Sequence, residues 1–208
     1  MKHIEPVRNW PLVPSRTAVL VVDVQQSECA DEALADAPEM AQALRDRMLP
    51  ALSRLVDGAR EAGCEIIYTV IEALTEDGRD RSLDHKLSDI LVPRGSPLAH
   101  TVPEAGQQDD DIILPKTSSG VFNSTNLTYL LRNMGLDRVI VAGLLTDQCV
   151  DMAVRDAADR GYMVSVATDA CFAANSQRHA TALDAFGGYC WQADTDTICD
   201  RLARMGDA

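Results

Sequence analysis

No stretch of this sequence approaches the roughly 20 consecutive apolar residues that a membrane span requires. The opening MKHIEPVRNWPLVPS lacks a continuous apolar run and does not read as a signal peptide. Cysteine pairs spaced C-x-x-C are absent: Cys29, Cys64, Cys149, Cys171, Cys190 and Cys199 are widely and irregularly placed. That spacing argues against a disulfide framework or a zinc knuckle and points to a reducing cytoplasm. Basic residues are in the minority, with 19 Lys and Arg against 32 Asp and Glu and a net charge of −13. A nucleic-acid partner, whose phosphates need clustered Lys and Arg, is therefore not expected, and the acidic excess serves solubility. Internal repeats and low-complexity linkers are missing as well. What remains is 46% apolar and 25% charged over 208 residues, the composition of one globular domain, residues 1–208, with chain enough for a sizeable core.

Short β-branched runs alternate with longer helical stretches. Thr17–Val22 is a continuous apolar run that stops at Asp23, Glu65–Ile71 is a second, and Asp111–Leu114 a short third. Arg138–Gly143 and Met163–Thr168 follow, with a weaker sixth near Gly188–Ala193. Runs without polar alternation suit strands buried on both faces, hence parallel strands covered by helices. Between them, Leu44, Met48, Leu52, Leu55 and Val56 recur at helical spacing before Gly63. Leu127, Leu130, Leu131 and Met134 do so before Gly135, and Val150, Ala153, Val154 and Ala157 before Gly161. Ala180, Leu183 and Phe186 repeat the pattern before Gly187. The β-α-β-α order reads as an open α/β sheet. The charged, Gly- and Pro-rich stretch Thr75–Gln108 reads as a long loop region at the sheet's edge or mouth.

Ligands of open α/β sheets bind beyond the C-terminal ends of the strands. Asp23 ends the first run, Lys116 follows the third after Pro115, and Cys149 follows the fourth at the start of a helix. A helix N-terminus offers free N–H groups and partial positive charge, which favour thiolate over thiol and can hold an oxyanion. Asp147 or Thr146 is placed to cap that helix. Each residue also has a plainer reading. Cys149 alone fits a small buried apolar residue, Asp23 a turn cap, and Lys116 a surface lysine. Together they supply a base, a cation and a thiol.

In combination these segments resemble the isochorismatase-like cysteine hydrolases. Val21-Val22-Asp23-Val24-Gln25 is similar to that family's opening Asp motif. Lys116, with Ser119, Phe122, Thr125, Leu127 and Leu131-Arg132, resembles its K…SxFxxTxLxxxLR segment. Gly143-Leu144-Leu145-Thr146-Asp147-Gln148-Cys149-Val150 resembles its G-x-x-T-x-x-C-V elbow, and the match runs from about Thr17 to about Leu202. The resemblance implies a three-layer α/β fold: an open, mostly parallel six-stranded sheet, order 3-2-1-4-5-6, with helices on both faces. It implies the triad Asp23, Lys116 and Cys149, a cis peptide between Leu144 and Leu145, and an oxyanion hole formed by the Leu145 and Cys149 N–H groups. It implies hydrolysis of a C–N bond in a small ureido or amide substrate through an acyl-thioester, in a homo-oligomer, dimer or tetramer.

Within the family, nicotinamidases carry an Asp-x-His pair after the second strand. The corresponding Glu72–His85 stretch has none, so neither a metal nor another cofactor is expected. The Ser118–Leu127 segment and Tyr189–Asp194 are most similar to ureidoacrylate and biuret or triuret amidohydrolases. One departure stands out: Gln25-Gln26-Ser27-Glu28 occupies the place of the usual Q-N-D-F and alters the pocket wall beside Asp23. Arg79, Arg81 and His85 are candidates for a substrate carboxylate or carbonyl, or else belong to a solvated charged loop. Gln25, Phe122 and Asn123 are candidates for the pocket wall, and Glu72 for an amide N–H. His179 reads as packing or capping in the last helical region. A vinyl-ether hydrolase and a nicotinamidase-like amidase are the alternative activities, and a non-enzymatic binding protein is the third reading.

Overall fold

The computed structural model describes residues 8–206, so the first part of the N-terminal stretch read above for a leader lies outside the described residues. Six strands form one all-parallel sheet in the order β3-β2-β1-β4-β5-β6. They are β1 (Thr17–Val22), β2 (Glu65–Ile71), β3 (Ile112–Lys116), β4 (Arg138–Leu144), β5 (Met163–Phe172) and β6 (Trp191–Ala193). The two central strands are buried along their whole length, as their unbroken apolar runs require. The fifth strand continues four residues past the predicted Met163–Thr168, through Asp169 and Ala170 to Phe172. Asp169 there caps the last helix, accepting from the Thr195 N–H and hydroxyl.

The helices are α1 (Gln26–Cys29), α2 (Pro38–Ala43), α3 (Leu49–Glu61), α4 (Leu83–Leu87), α5 (Val121–Ser124), α6 (Leu127–Asn133), α7 (Asp151–Asp159), α8 (Ser176–Phe186) and α9 (Thr195–Gly206). The predicted periodicity at Leu44–Val56 spans two pieces, because a π turn at Leu44–Met48 joins α2 to α3. Leu49, Leu52, Leu55, Val56 and Ala59 form the buried stripe of α3, and Gly63, with φ of 88°, ends it. Helices α3 and α9 pack together against the sheet, and α5 to α8 form a second group. That split follows from right-handed crossovers: the chain moves one way from β1 to β3 and the other way from β3 to β6.

The stretch read as a long loop is more structured than expected. It holds α4 and two 3-10 turns, buries Val92, Ala99, Val102 and Ala105, and bridges back to the chain after β1 through Thr101 and Gln25. It therefore forms a roof over the C-terminal ends of β1 and β2.

Candidate active site

Three strand ends deliver three side chains. Val22 sits in register with Thr69 on one side and Gly143 on the other, and Ile71 with Lys116. Asp23 follows directly and turns into the left-handed region, φ 55°. Its N–H donates to the Thr69 carbonyl at 3.1 Å, and its Oδ1 accepts from the Thr69 hydroxyl at 2.8 Å. Lys116 lies two strands away from Asp23, nearly 10 Å at ordinary strand spacing, so only a long side chain bridges the gap. Fully buried, its ammonium reaches 2.8 Å from Asp23 Oδ2 and donates to the Ser118 carbonyl at 3.0 Å and to Cys149 Sγ at 3.4 Å. The Oδ2 has this counter-ion but no donor in hydrogen-bond geometry among the described residues.

The third member depends on how tightly β4 passes β1. Gly143 has φ of 120°, and a Cβ there would stand 2.1 Å from the Val22 carbonyl oxygen, so only glycine permits the approach. The Leu144–Leu145 peptide is cis. Thr146–Val150 is then a π turn leading into α7. Neither candidate cap acts as one. Thr146 Oγ1 bonds His179 Nδ1 at 2.9 Å, and Asp147 pairs with Arg178. Both contacts tie the elbow to α8. Leu145 and Cys149, whose N–H groups are the expected oxyanion donors, both line a cavity of about 50 Å³ with Asp23, Glu28, His85 and Ser119.

Burial decides the electrostatics. The helix terminus was expected to lower the Cys149 pKa, but desolvation and then the Asp23 charge push the thiol up to about 12, against the opposing influence of Lys116. Burial here favours the protonated thiol over the thiolate. Lys116 is opposed by burial, yet with the Asp23 charge beside it the ammonium is held above its ordinary value. His85 is lowered by burial and then by Lys116, so its ring is neutral at pH 7. Its relative exposure is 1%, and neither ring nitrogen has a hydrogen-bond partner among the described residues.

Of the residues singled out in the sequence, Asp23, Lys116, Cys149, Leu145 and His85 come together here. The candidates for substrate contact other than His85, namely Gln25, Glu72, Arg79, Arg81, Phe122 and Asn123, do not line this cavity. Gln25 is fully buried with its amide spent on the backbone: Nε2 donates to the Ile71 and Leu98 carbonyls and Oε1 accepts from the Ile71 N–H. Glu72 accepts from the Gly95 N–H. Arg79 is exposed and paired with Asp77, and Arg81 donates to the Gly78 and Ile90 carbonyls. Phe122 stacks on Tyr162, and Asn123 is exposed. Sequence reasoning passed over Glu28 and Ser119 as site residues. The signal for Glu28 was present, since it ends the segment that departs from the family motif. Among the described residues, no group of three or more His, Cys, Asp or Glu side chains is arranged to hold a metal ion.

Comparison with known proteins places the chain among its relatives. The chain is 27% identical over 210 residues to ureidoacrylate amidohydrolase RutB of Serratia proteamaculans, covering 91% of this chain and 84% of that protein. Among solved structures it is similar to a cysteine hydrolase from Pseudomonas syringae pv. phaseolicola, with a TM-score of 0.80, 25% identity and coverage of 95% and 97% of the two chains. The fold also matches N-carbamoylsarcosine amidase from Thermoplasma acidophilum, with a TM-score of 0.70 at 21% identity and coverage of 87% and 97%. The profile of the family described as "Isochorismatase domain" matches residues 17–196, and the chain belongs to that family of hydrolases.

Proposed function

We propose that this protein is a cysteine-dependent amidohydrolase that cleaves a C–N bond of a small ureido or amide substrate, with Cys149 as nucleophile. One observation carries the reading: a buried ammonium lies 2.8 Å from a carboxylate oxygen and 3.4 Å from a sulfur, beside a cavity at the strand ends. The names of the curated relatives support the bond type.

In the proposed reaction Asp23 removes the thiol proton as Cys149 Sγ attacks the substrate carbonyl carbon. The Leu145 and Cys149 N–H groups hold the developing oxyanion, a contribution of about 3–4 kcal/mol per donor. Lys116 keeps Asp23 oriented and offsets the negative charge that accumulates beside it. The tetrahedral adduct collapses, the C–N bond breaks, and Asp23 returns its proton to the leaving nitrogen. Water, deprotonated by Asp23, then attacks the acyl-thioester and releases the acid and the free thiol. No step requires a cofactor.

Ammonia release measured over biuret, ureidoacrylate, N-carbamoyl amino acids, maleamate and nicotinamide tests the reading. With an active substrate, Cys149→Ala and Cys149→Ser should lose on the order of 10⁴-fold or more in kcat, with unchanged far-ultraviolet circular dichroism. Retained turnover in either variant sinks the assignment, and pyruvate release from isochorismate without ammonia from any amide would favour vinyl-ether cleavage. We further infer a homo-oligomer in a reducing cytoplasm. All six cysteines are free, and Leu83, Leu87 and Leu98 are exposed on the roof segment. Light scattering on the purified protein checks the assembly, and a monomer at micromolar concentration contradicts it.

A further inference from the structure

The proposed reaction leaves Glu28 and His85 without a role, although both line the cavity with Cys149. Glu28 sits on α1, a turn held by Gln25 and by the Gln26 N–H donating to the His100 carbonyl, so its position is set by backbone bonds. Burial, and then the neighbouring Asp23, raise its pKa, which marks the site as one where additional negative charge is costly. Among the described residues, no arginine lines this cavity. Arg79 is 72% exposed with Asp77 as its partner, and Arg81 is committed to two backbone carbonyls. The ammonium of Lys116 is already engaged by Asp23, Ser118 and Cys149. His85 is buried with both ring nitrogens unpartnered among the described residues, a cost that a bound polar group would remove. The cavity of about 50 Å³ admits a planar amide or urea head and little more.

Resting on the amidohydrolase reading, we propose that the site selects amide or ureide substrates lacking a carboxylate, with a substrate N–H donating to the Glu28 carboxyl and the buried His85 ring meeting a second polar atom of the same head group. An N–H donor meets the Glu28 carboxyl without adding charge to a cavity that Asp23 also lines. A carboxylate entering the same space adds a third negative group, and among the described residues no cation other than the engaged Lys116 lies there to receive it. At an effective dielectric of about 20, a like charge about 6–12 Å away weakens binding by about 10- to 100-fold.

The test compares neutral compounds, biuret and N-propylurea, with anionic ones, ureidoacrylate and N-carbamoylglycine. Binding is read by calorimetry in Cys149→Ala, where no turnover intervenes, and kcat/KM for ammonia release is read in the wild type. Tighter binding of the neutral set by tenfold or more is expected. Glu28→Gln should shrink that preference at least tenfold, mainly by improving the anionic set. A wild-type preference for ureidoacrylate, or a preference unchanged by Glu28→Gln, overturns the proposal. Turnover persisting in Cys149→Ala would instead refute the cysteine mechanism, while the binding preference would still decide the role of Glu28.

Discussion

Replacing Lys116 alone should harm folding more than replacing it together with Asp23. The pair is 2.8 Å apart, with side-chain exposures of 0% and 2%. At an effective dielectric of about 20, that separation corresponds to about 6 kcal/mol of attraction, set against the desolvation of both groups. In Lys116→Met the stem is kept and the ammonium removed, so Asp23 stays buried with only the Thr69 hydroxyl and its own backbone contacts for company. An orphaned buried charge of this kind costs about 3–5 kcal/mol, or roughly 10 °C in melting temperature for a chain of this size. The double variant Asp23→Asn/Lys116→Met leaves no charge behind and keeps similar volumes, so it should recover most of that loss while remaining inactive. Urea unfolding at pH 7, followed by far-ultraviolet circular dichroism, gives all the stabilities. If Lys116→Met lies within about 1 kcal/mol of the wild type, or the double variant is less stable than it, the ion pair is not what holds this site.

Gly143→Ala should cost about 3 kcal/mol or more and reduce turnover with it, since its Cβ would meet the Val22 carbonyl oxygen at 2.1 Å and displace the strand end that carries Asp23. An unchanged melting temperature would refute that close approach. Burial, and then Arg47, lower the His179 pKa to about 4. Because protonation favours the unfolded chain, the histidine's contribution is fully present above about pH 6.5 and lost as the pH falls toward 4, on the order of 3 kcal/mol. The stability of His179→Gln should therefore vary less than the wild type over that window, and parallel pH curves would contradict this. Gln25→Ala should cost about 1–3 kcal/mol by leaving the Ile71 N–H unpaired. Faster amide exchange at Ile71 is the expected signature, and unchanged exchange would return Gln25 to the candidate pocket wall.

The strands were legible because their signal is local. A parallel strand covered on both faces must be apolar throughout, and Thr17–Val22 and Arg138–Leu144 are. The places of Asp23, Lys116 and Cys149 were legible for a related reason. Each lies where an apolar run stops, and in an open parallel sheet those stops share one edge. Distances across the sheet carry no such local mark. Nothing in the neighbourhood of Arg79 or Arg81 in sequence shows that their guanidinium groups turn to Asp77 and to backbone carbonyls, whereas His85, a few residues on, reaches the cavity. Gln25 looked like a pocket residue and proved to be a clamp, because its partners at Ile71 and Leu98 are 46 and 73 residues away. The charge state of Cys149 depends on the same kind of distance. A helix terminus can be seen in the sequence, but the desolvation that opposes it comes from every element packed around the sulfur. Chain order and hydrophobic pattern thus specified the sheet and the edge on which chemistry is possible. Which side chains meet there, and in what charge state, followed from packing between segments remote in sequence, since burial and Coulomb interactions depend on distance in space.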